Sequence, residues 1–214
     1  MLNQFLKIYP HLKKKIFLCK YYPINTQLFK PRNKNRLRKK YNLPNDKKII
    51  FFSAQDLSDL RKGYQFFIDI AKNLKNQKDI FFVSLGKYKK DLSEIKNLRQ
   101  IEFLPHKKIP EIYSLSDIFI CTSLIDNLPL TILEALSSGN TVISLKNGGS
   151  DEILKDIGYS FKKSQKFEII KKLKKISFQE INNKSKKSRN FALKYFNEKK
   201  IGNQYKKIFT KINL

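Results

Sequence analysis

From residue 49 onward, short uninterrupted apolar runs alternate with longer stretches whose apolar residues recur every three or four positions. Ile49-Ile50-Phe51-Phe52-Ser53 has strand length and the continuous apolarity of a strand covered on both faces, and Ile80 to Leu85, Ile101 to Leu104 and Ile118-Phe119-Ile120-Cys121 read as the second, third and fourth strands. Between them, Phe66, Phe67, Ile70, Ala71 and Leu74 keep helical spacing within Gly63 to Leu74, with lysines on the other side. Leu92, Ile95 and Leu98 predict a short helix, and Ile109, Ile112, Tyr113 and Leu115 predict another. Strands separated by single helices imply right-handed crossovers, and so an α/β fold with a doubly wound, Rossmann-like parallel sheet. Ligands of such sheets sit beyond the C-terminal strand ends, where Ser53-Ala54, Gly86, Ser123 to Pro129 and Lys146 to Gly149 fall.

After the fourth strand comes Ser123 to Glu152, SLIDNLPLTILEALSSGNTVISLKNGGSDE, which reads as loop, helix, strand, loop. Asp126, Asn127 and Pro129 are suited to opening a helix, because short polar side chains cap unpaired N–H groups and proline gives up a donor that had no partner. Gly139 ends it, and Thr141-Val142-Ile143-Ser144 is a β-branched strand leading to Gly148-Gly149. Almost every side chain of the helix is apolar, while Thr131, Glu134 and Ser138 recur at helical spacing as a narrow polar stripe with one charge. That stripe is either a solvated face or the wall of a cleft. In a cleft, Glu134 would accept hydrogen bonds from vicinal hydroxyls such as those of a ribose, and the nearby helix start would favour a phosphate.

Composition narrows the function classes. The 214 residues suffice for one domain with a sizeable core and some appended helix. Seventeen Phe and ten Tyr argue against disorder. The formal charge of +27 comes mostly from Lys spread over every element, with only six Arg. A nucleic-acid reader would concentrate its basic residues on one element, so the excess predicts general attraction to polyanions and anionic lipid at low salt instead. Cys19 and Cys121 suggest neither a disulfide framework nor a metal site, and His11 and His106 lack a second ligand at metal spacing. No segment approaches a membrane span, and no signal-peptide hydrophobic region opens the chain. A cytoplasmic location, peripheral at the inner membrane surface, is the expectation.

Asp126 and Glu134, with seven residues between them in DNLPLTILEALSSG followed by a strand and GGSDEI, closely resemble the carboxylate-x7-carboxylate motif of family 4 GT-B glycosyltransferases. The resemblance implies that Asp126 lies near a donor sugar and Glu134 holds the nucleotide ribose. Glu is common at the first position of that motif, so Asp126 is a mild departure. Lys62, within Arg61-Lys62-Gly63 in front of a helix, matches the basic residue that contacts the donor diphosphate. Many members also carry an Arg just after the first strand, where Ala54 and Gln55 stand here, and Arg61 is the candidate to compensate. Asn127, Leu128, Pro129 and Thr131 would line the donor, Gly148 and Gly149 would present bare backbone N–H groups to its pyrophosphate, and Glu152 would cap or line the same cleft.

The resemblance runs from about residue 20 to the end. Pro23 to Pro31 and Arg38 to Pro44 match the interdomain connector preceding a GT-B second domain. Residues 1–48 are thus expected as a basic connector remnant, in which Ile16 to Cys19 is a candidate strand and Asn35 to Tyr41 a short helix. Residues 49–197 are expected as the nucleotide-sugar-binding domain and 198–214 as a C-terminal helix. Phe167 to Ile176, Phe178 to Phe196 and Ile201 to Ile212 read as Lys-rich amphipathic helices like those that finish a GT-B second domain and brace the first.

The implied function is the donor half of a glycosyltransferase that binds a UDP- or GDP-linked sugar, without metal or other cofactor. It would transfer a hexose, usually with retention, to a glycan or lipid-linked acceptor. The acceptor-binding half would then be supplied separately, since the leading residues are too few for a Rossmann domain. Two alternatives stand beside it: a non-catalytic nucleotide-sugar-binding module, motivated by Gln55 and the missing half, and a basic polyanion-binding protein.

Overall fold

A computed structural model describes residues 2–16, 21–88, 91–146 and 148–212. Six parallel strands form one sheet in the order β3-β2-β1-β4-β5-β6: β1 Lys48–Asp56, β2 Ile80–Lys87, β3 Leu98–Ile101, β4 Ile118–Cys121, β5 Thr141–Leu145 and β6 Tyr159–Phe161. The helices are α1 Leu2–Ile8, α2 Lys34–Lys40, α3 Tyr64–Asn73, α4 Ile109–Leu115, α5 Leu130–Ser137, α6 Gly149–Leu154, α7 Lys166–Lys175, α8 Phe178–Tyr195 and α9 Glu198–Ile212. This is the expected doubly wound α/β sheet. The strand order reverses between β1 and β4, whose pairing joins Ile50 with Ile118 and Phe51 with Phe119.

The continuous apolarity of the central strands follows from the two cores they separate. Ile49, Phe51, Val83, Phe119 and Val142 face one side, under α4 and α5 and the end of α8. Ile50, Phe52, Phe82, Ile118 and Ile143 face the other, under α3 and α7. Side chains of successive residues leave a strand on opposite faces, so burial of both faces removes the polar alternation.

The segment ahead of β1 is packed onto the first core through Ile24, Phe29, Leu37 and Leu43. Buried Arg38 ties it down, with Nη2 2.6 Å from Asp117 and Nε donating to the Leu115 carbonyl. Asp117 also takes Lys34 Nζ at 2.6 Å and the Ile49 N–H at 2.8 Å, so both oxygens of this buried carboxylate are paired. At the other end of the chain, Arg189 on α8 donates to the carbonyls of Thr26, Phe29 and Ser137. The Phe191, Tyr195 and Phe196 rings close around Tyr21.

Three expectations need correction. The helix predicted from Leu92, Ile95 and Leu98 is a series of turns, and the third strand runs over Leu98–Ile101 rather than 101–104. Its side chains are only half buried because it is an edge, and Phe103 lies beyond it, 70% exposed. A sixth strand, Tyr159–Phe161, continues the alternation past Tyr159, where none was expected. It has three residues, too few for a period to show. The candidate strand at Ile16 to Cys19 falls mostly outside the described residues.

Candidate donor cleft at the strand ends

The loops after β1, β4 and β5 meet at the reversal of strand order, the usual ligand crevice of an open α/β sheet. After β1, a single helical turn at Leu60–Lys62 ends in Gly63, whose φ of 69° admits a side chain only with strain. Close approach adds a stronger demand: a Cβ on Gly63 would lie 2.0 Å from the Thr122 carbonyl oxygen. Through that contact the Thr122 hydroxyl donates to the Gly63 carbonyl at 2.8 Å, and the Leu124 N–H donates to the Arg61 carbonyl at 2.7 Å. The β1 and β4 loops therefore lie against each other, and Lys62 Nζ reaches Asp126 at 3.0 Å.

The β5 loop joins the same assembly. The Gly149 N–H donates to the Asn127 carbonyl at 2.8 Å, and a Cβ on Gly149 would sit 2.5 Å from that oxygen. Gly148 approaches the Asp126 carbonyl with a φ of 117°. The paired glycines are thus required by backbone approach between two loops as well as by the turn.

Helix α5 begins one residue later than its pattern suggests. Pro129 occupies the N-cap position, with no side chain capping the first turn, so Asp126 and Asn127 do not cap the helix. Asp126 faces Lys62 instead, and Asn127 contributes its carbonyl. Proline's fixed φ still suits the entry, while the uncapped N–H groups of the first turn are left to water or a ligand. Leu128 is half buried and Pro129 buried.

Of the polar stripe on α5, Thr131 and Glu134 line a cavity of about 460 Å³, while Ser138 is buried away from it. The same cavity is lined by Ala54 and Gln55 near the end of β1, which runs on to Asp56 rather than ending at Ser53, by Gly86 and Lys87 at the end of β2, and by Phe103 and His106 beyond β3. Glu134 Oε2 accepts the Tyr113 hydroxyl at 2.8 Å. Burial pushes the Glu134 carboxyl up to about 7, and the tyrosine hydrogen bond opposes that rise in part. Tyr113 is itself wholly buried, and desolvation followed by the Glu134 charge holds its hydroxyl well above its ordinary value.

The structure therefore brings Lys62 to Asp126, Gly148 and Gly149 to Asn127, and Thr131 to Glu134 in the cavity. It does not bring Arg61 in. That side chain is 71% exposed and folds back on Asp59 at 2.8 Å. Glu152 lies exposed in the first turn of α6. Sequence reading did not single out Lys87 or Tyr113. Lys87 follows Gly86 at a strand end, a position that could have marked it; Tyr113 was legible only as a core residue of α4.

A Rossmann-like domain whose crevice carries these residues has the architecture of a GT-B glycosyltransferase C-terminal domain. Residues 33–194 match the family of glycosyl transferases group 1, and the chain belongs to that family. It is 29% identical over 135 residues to YtcC of Bacillus subtilis (strain 168), a protein whose name assigns it provisionally to the glycosyltransferases; the match spans 55% of this chain and 32% of that one. The C-terminal domain of LpcC, a glycosyl transferase group 1 protein from Francisella tularensis, superposes with a TM-score of 0.69 at 24% identity, over 82% of this chain and 99% of that domain. Anabaena Alr3699/HepE, solved with UDP, superposes with a TM-score of 0.76 at 17% identity, over 89% of this chain and 56% of that one. The chain thus spans about a third of YtcC and somewhat over half of HepE. Among the described residues no helix is long and apolar enough to cross a membrane.

Proposed function

We propose that this chain is the donor-binding part of a glycosyltransferase and that its crevice takes a nucleoside diphosphate sugar, UDP- or GDP-linked. The observation that carries the reading is the pairing of Lys62 with Asp126 across the loops that follow β1 and β4, where strand order reverses, together with Glu134 of α5 lining a cavity at the ends of β1 and β2. Glu134 accepts hydrogen bonds from the ribose hydroxyls, a task for a group that offers two acceptor oxygens. Lys62, the uncapped first turn of α5 and the Gly148 backbone receive the diphosphate, whereas the Gly149 N–H, expected to be bare, is already given to the Asn127 carbonyl. In the free chain Asp126 holds Lys62 at the crevice mouth. With donor bound, Lys62 turns to the more highly charged diphosphate, and Asp126 lies near the sugar.

Transfer breaks the bond between the sugar's anomeric carbon and the diphosphate oxygen and makes a bond from that carbon to an acceptor hydroxyl oxygen, whose proton passes to the departing diphosphate, with retention of configuration. Negative charge accumulates on the departing diphosphate, and the fixed positive groups stabilise it without a bound metal. The acceptor is a glycan or lipid-linked sugar, presented by a second domain across the crevice. Exposed Leu60, Phe103, Ile125 and Leu130 around the strand ends offer that domain or acceptor an apolar surface. The lysine excess draws the protein to anionic membrane surfaces, and the site works in the cytoplasm in the synthesis of polysaccharide.

Calorimetric titration with UDP, GDP, UMP, ADP and tripolyphosphate at moderate salt, on the chain and on Glu134→Ala, tests the reading. Selective binding of one nucleoside diphosphate, lost in Glu134→Ala, is expected. Indifferent binding of every polyphosphate, weakened by salt and unchanged in the variant, would leave only a basic surface.

A further inference from the structure

Ser53, Tyr113 and Glu134 form a chain of hydroxyls ending on the carboxylate that faces the cavity. The Tyr113 oxygen lies 3.2 Å from Ser53 Oγ and 2.8 Å from Glu134 Oε2. A hydroxyl has one hydrogen to give. Because that of Tyr113 goes to Glu134, the Ser53 hydroxyl is the donor in the other contact. The relay therefore has a direction, from β1 through α4 to α5.

The Tyr113 ring has no freedom to leave this arrangement. It is fully buried and meets Phe51 at 5.0 Å, Phe119 at 5.5 Å and Phe29 at 5.7 Å between ring centroids. Core packing thus fixes the position of a hydroxyl, and the hydroxyl occupies one oxygen of Glu134. The second carboxylate oxygen is left for the cavity. Other titratable groups facing this region are Cys121 on β4, behind Tyr113, and Lys87, Glu102 and His106 around the cavity. The hydrogen bond that acts on the Glu134 carboxyl is the one from Tyr113.

We propose that Tyr113 is a positioning residue for donor binding: its fixed hydroxyl holds one oxygen of Glu134 and so orients the other toward the ribose. The inference rests on the functional reading above, in which Glu134 is the ribose acceptor. Without the hydroxyl, Glu134 keeps its burial and loses the hydrogen bond that favours its charge, so protonation extends to higher pH. A protonated carboxyl offers the ribose a poorer acceptor. Donor affinity in the free chain should then rise with pH through about 7, and the rise should move upward when the hydroxyl is removed.

The test uses Tyr113→Phe, which keeps the ring, and Ser53→Ala, which leaves the tyrosine in place but frees its oxygen. Two measurements are made on each: the titration of Glu134 followed by carboxyl ¹³C NMR without ligand, and UDP and GDP affinity from pH 5.5 to 8.5 (a range of about three units around the expected midpoint). In Tyr113→Phe both midpoints are expected to move up by about one unit, a loss of about fivefold in affinity at the wild-type midpoint. Ser53→Ala should move both the same way by less. If Tyr113→Phe lowers affinity equally at every pH and leaves the Glu134 titration in place, Tyr113 is only a core residue and the proposal fails. If the titration moves while nucleotide affinity ignores both pH and Glu134→Gln, the ribose-acceptor reading fails, and this proposal falls with it.

Discussion

Replacing Glu134 with glutamine should stabilise the protein, and only on the alkaline side. The carboxyl ionises near 4.5 in the unfolded chain and at about 7 in its half-buried place on α5. The interval between those values amounts to about 3 kcal/mol at about 1.36 kcal/mol per unit, an upper bound because the cavity lets some solvent screen the charge. The sign follows from proton counts. Between pH 4.5 and about 7 the folded protein holds a proton that the unfolded chain has lost, so stability falls as pH rises through that window. Below it both states are protonated and the penalty is absent; above it the penalty is complete. The glutamine side chain has nearly the shape of the carboxyl it replaces, and its carbonyl can still accept from Tyr113, but it has no proton to lose. Urea denaturation of the Glu134 protein and Glu134→Gln at pH 4, 5, 6, 7 and 8 should give stabilities that nearly coincide at the acid end and diverge by up to about 3 kcal/mol at the alkaline end, with the variant the more stable. Parallel curves, separated by the same amount at every pH, would refute the argument, because they would mean that burial does not disfavour the ionised form.

Gly63→Ala should cost about 2 to 4 kcal/mol, since it combines a left-handed backbone with a Cβ driven onto the Thr122 carbonyl; an unchanged urea midpoint would show that the loop adapts freely. Asp117→Asn leaves Arg38 buried without its charged partner and should destabilise by about 3 kcal/mol, measured by the same method; a loss below about 0.5 kcal/mol would show that the pair contributes little. Lys62→Ala should weaken nucleoside diphosphate binding about tenfold or more while affecting a nucleoside monophosphate much less, as calorimetry would show. Equal losses for both would place Lys62 away from the outer phosphate.

The sheet was legible because its central strands are buried on both faces, which writes Ile49 to Phe52 and Ile118 to Cys121 as unbroken apolar runs. The two edges were harder for the same reason reversed. Leu98–Ile101 and Tyr159–Phe161 are half exposed and short, so they carry neither a continuous run nor a measurable period. The placement of Asp126, Glu134 and Lys62 could be anticipated from one helix and the strand end before another. What local pattern could not supply was the partner of each group. Lys62 and Asp126 are 64 positions apart, and Tyr113 and Glu134 are 21 apart. Arg61 shows the limit most clearly: it stands beside Lys62 in sequence, yet Asp59, two residues away, captures it.

The hydrogen bonds between the β1, β4 and β5 loops bear on the thermodynamics of recognition as well as on shape. Thr122 to Gly63, Leu124 to Arg61 and Gly149 to Asn127 tie three surface segments into one body before any ligand arrives. Ordering a free loop on binding would cost roughly 1–2 kcal/mol of backbone entropy per residue, enough to erase the gain from several polar contacts. Here much of that loss has already been absorbed in folding. A ligand spanning the three segments meets a preorganised surface, and its affinity reports the contacts themselves rather than the difference between contacts and loop freezing.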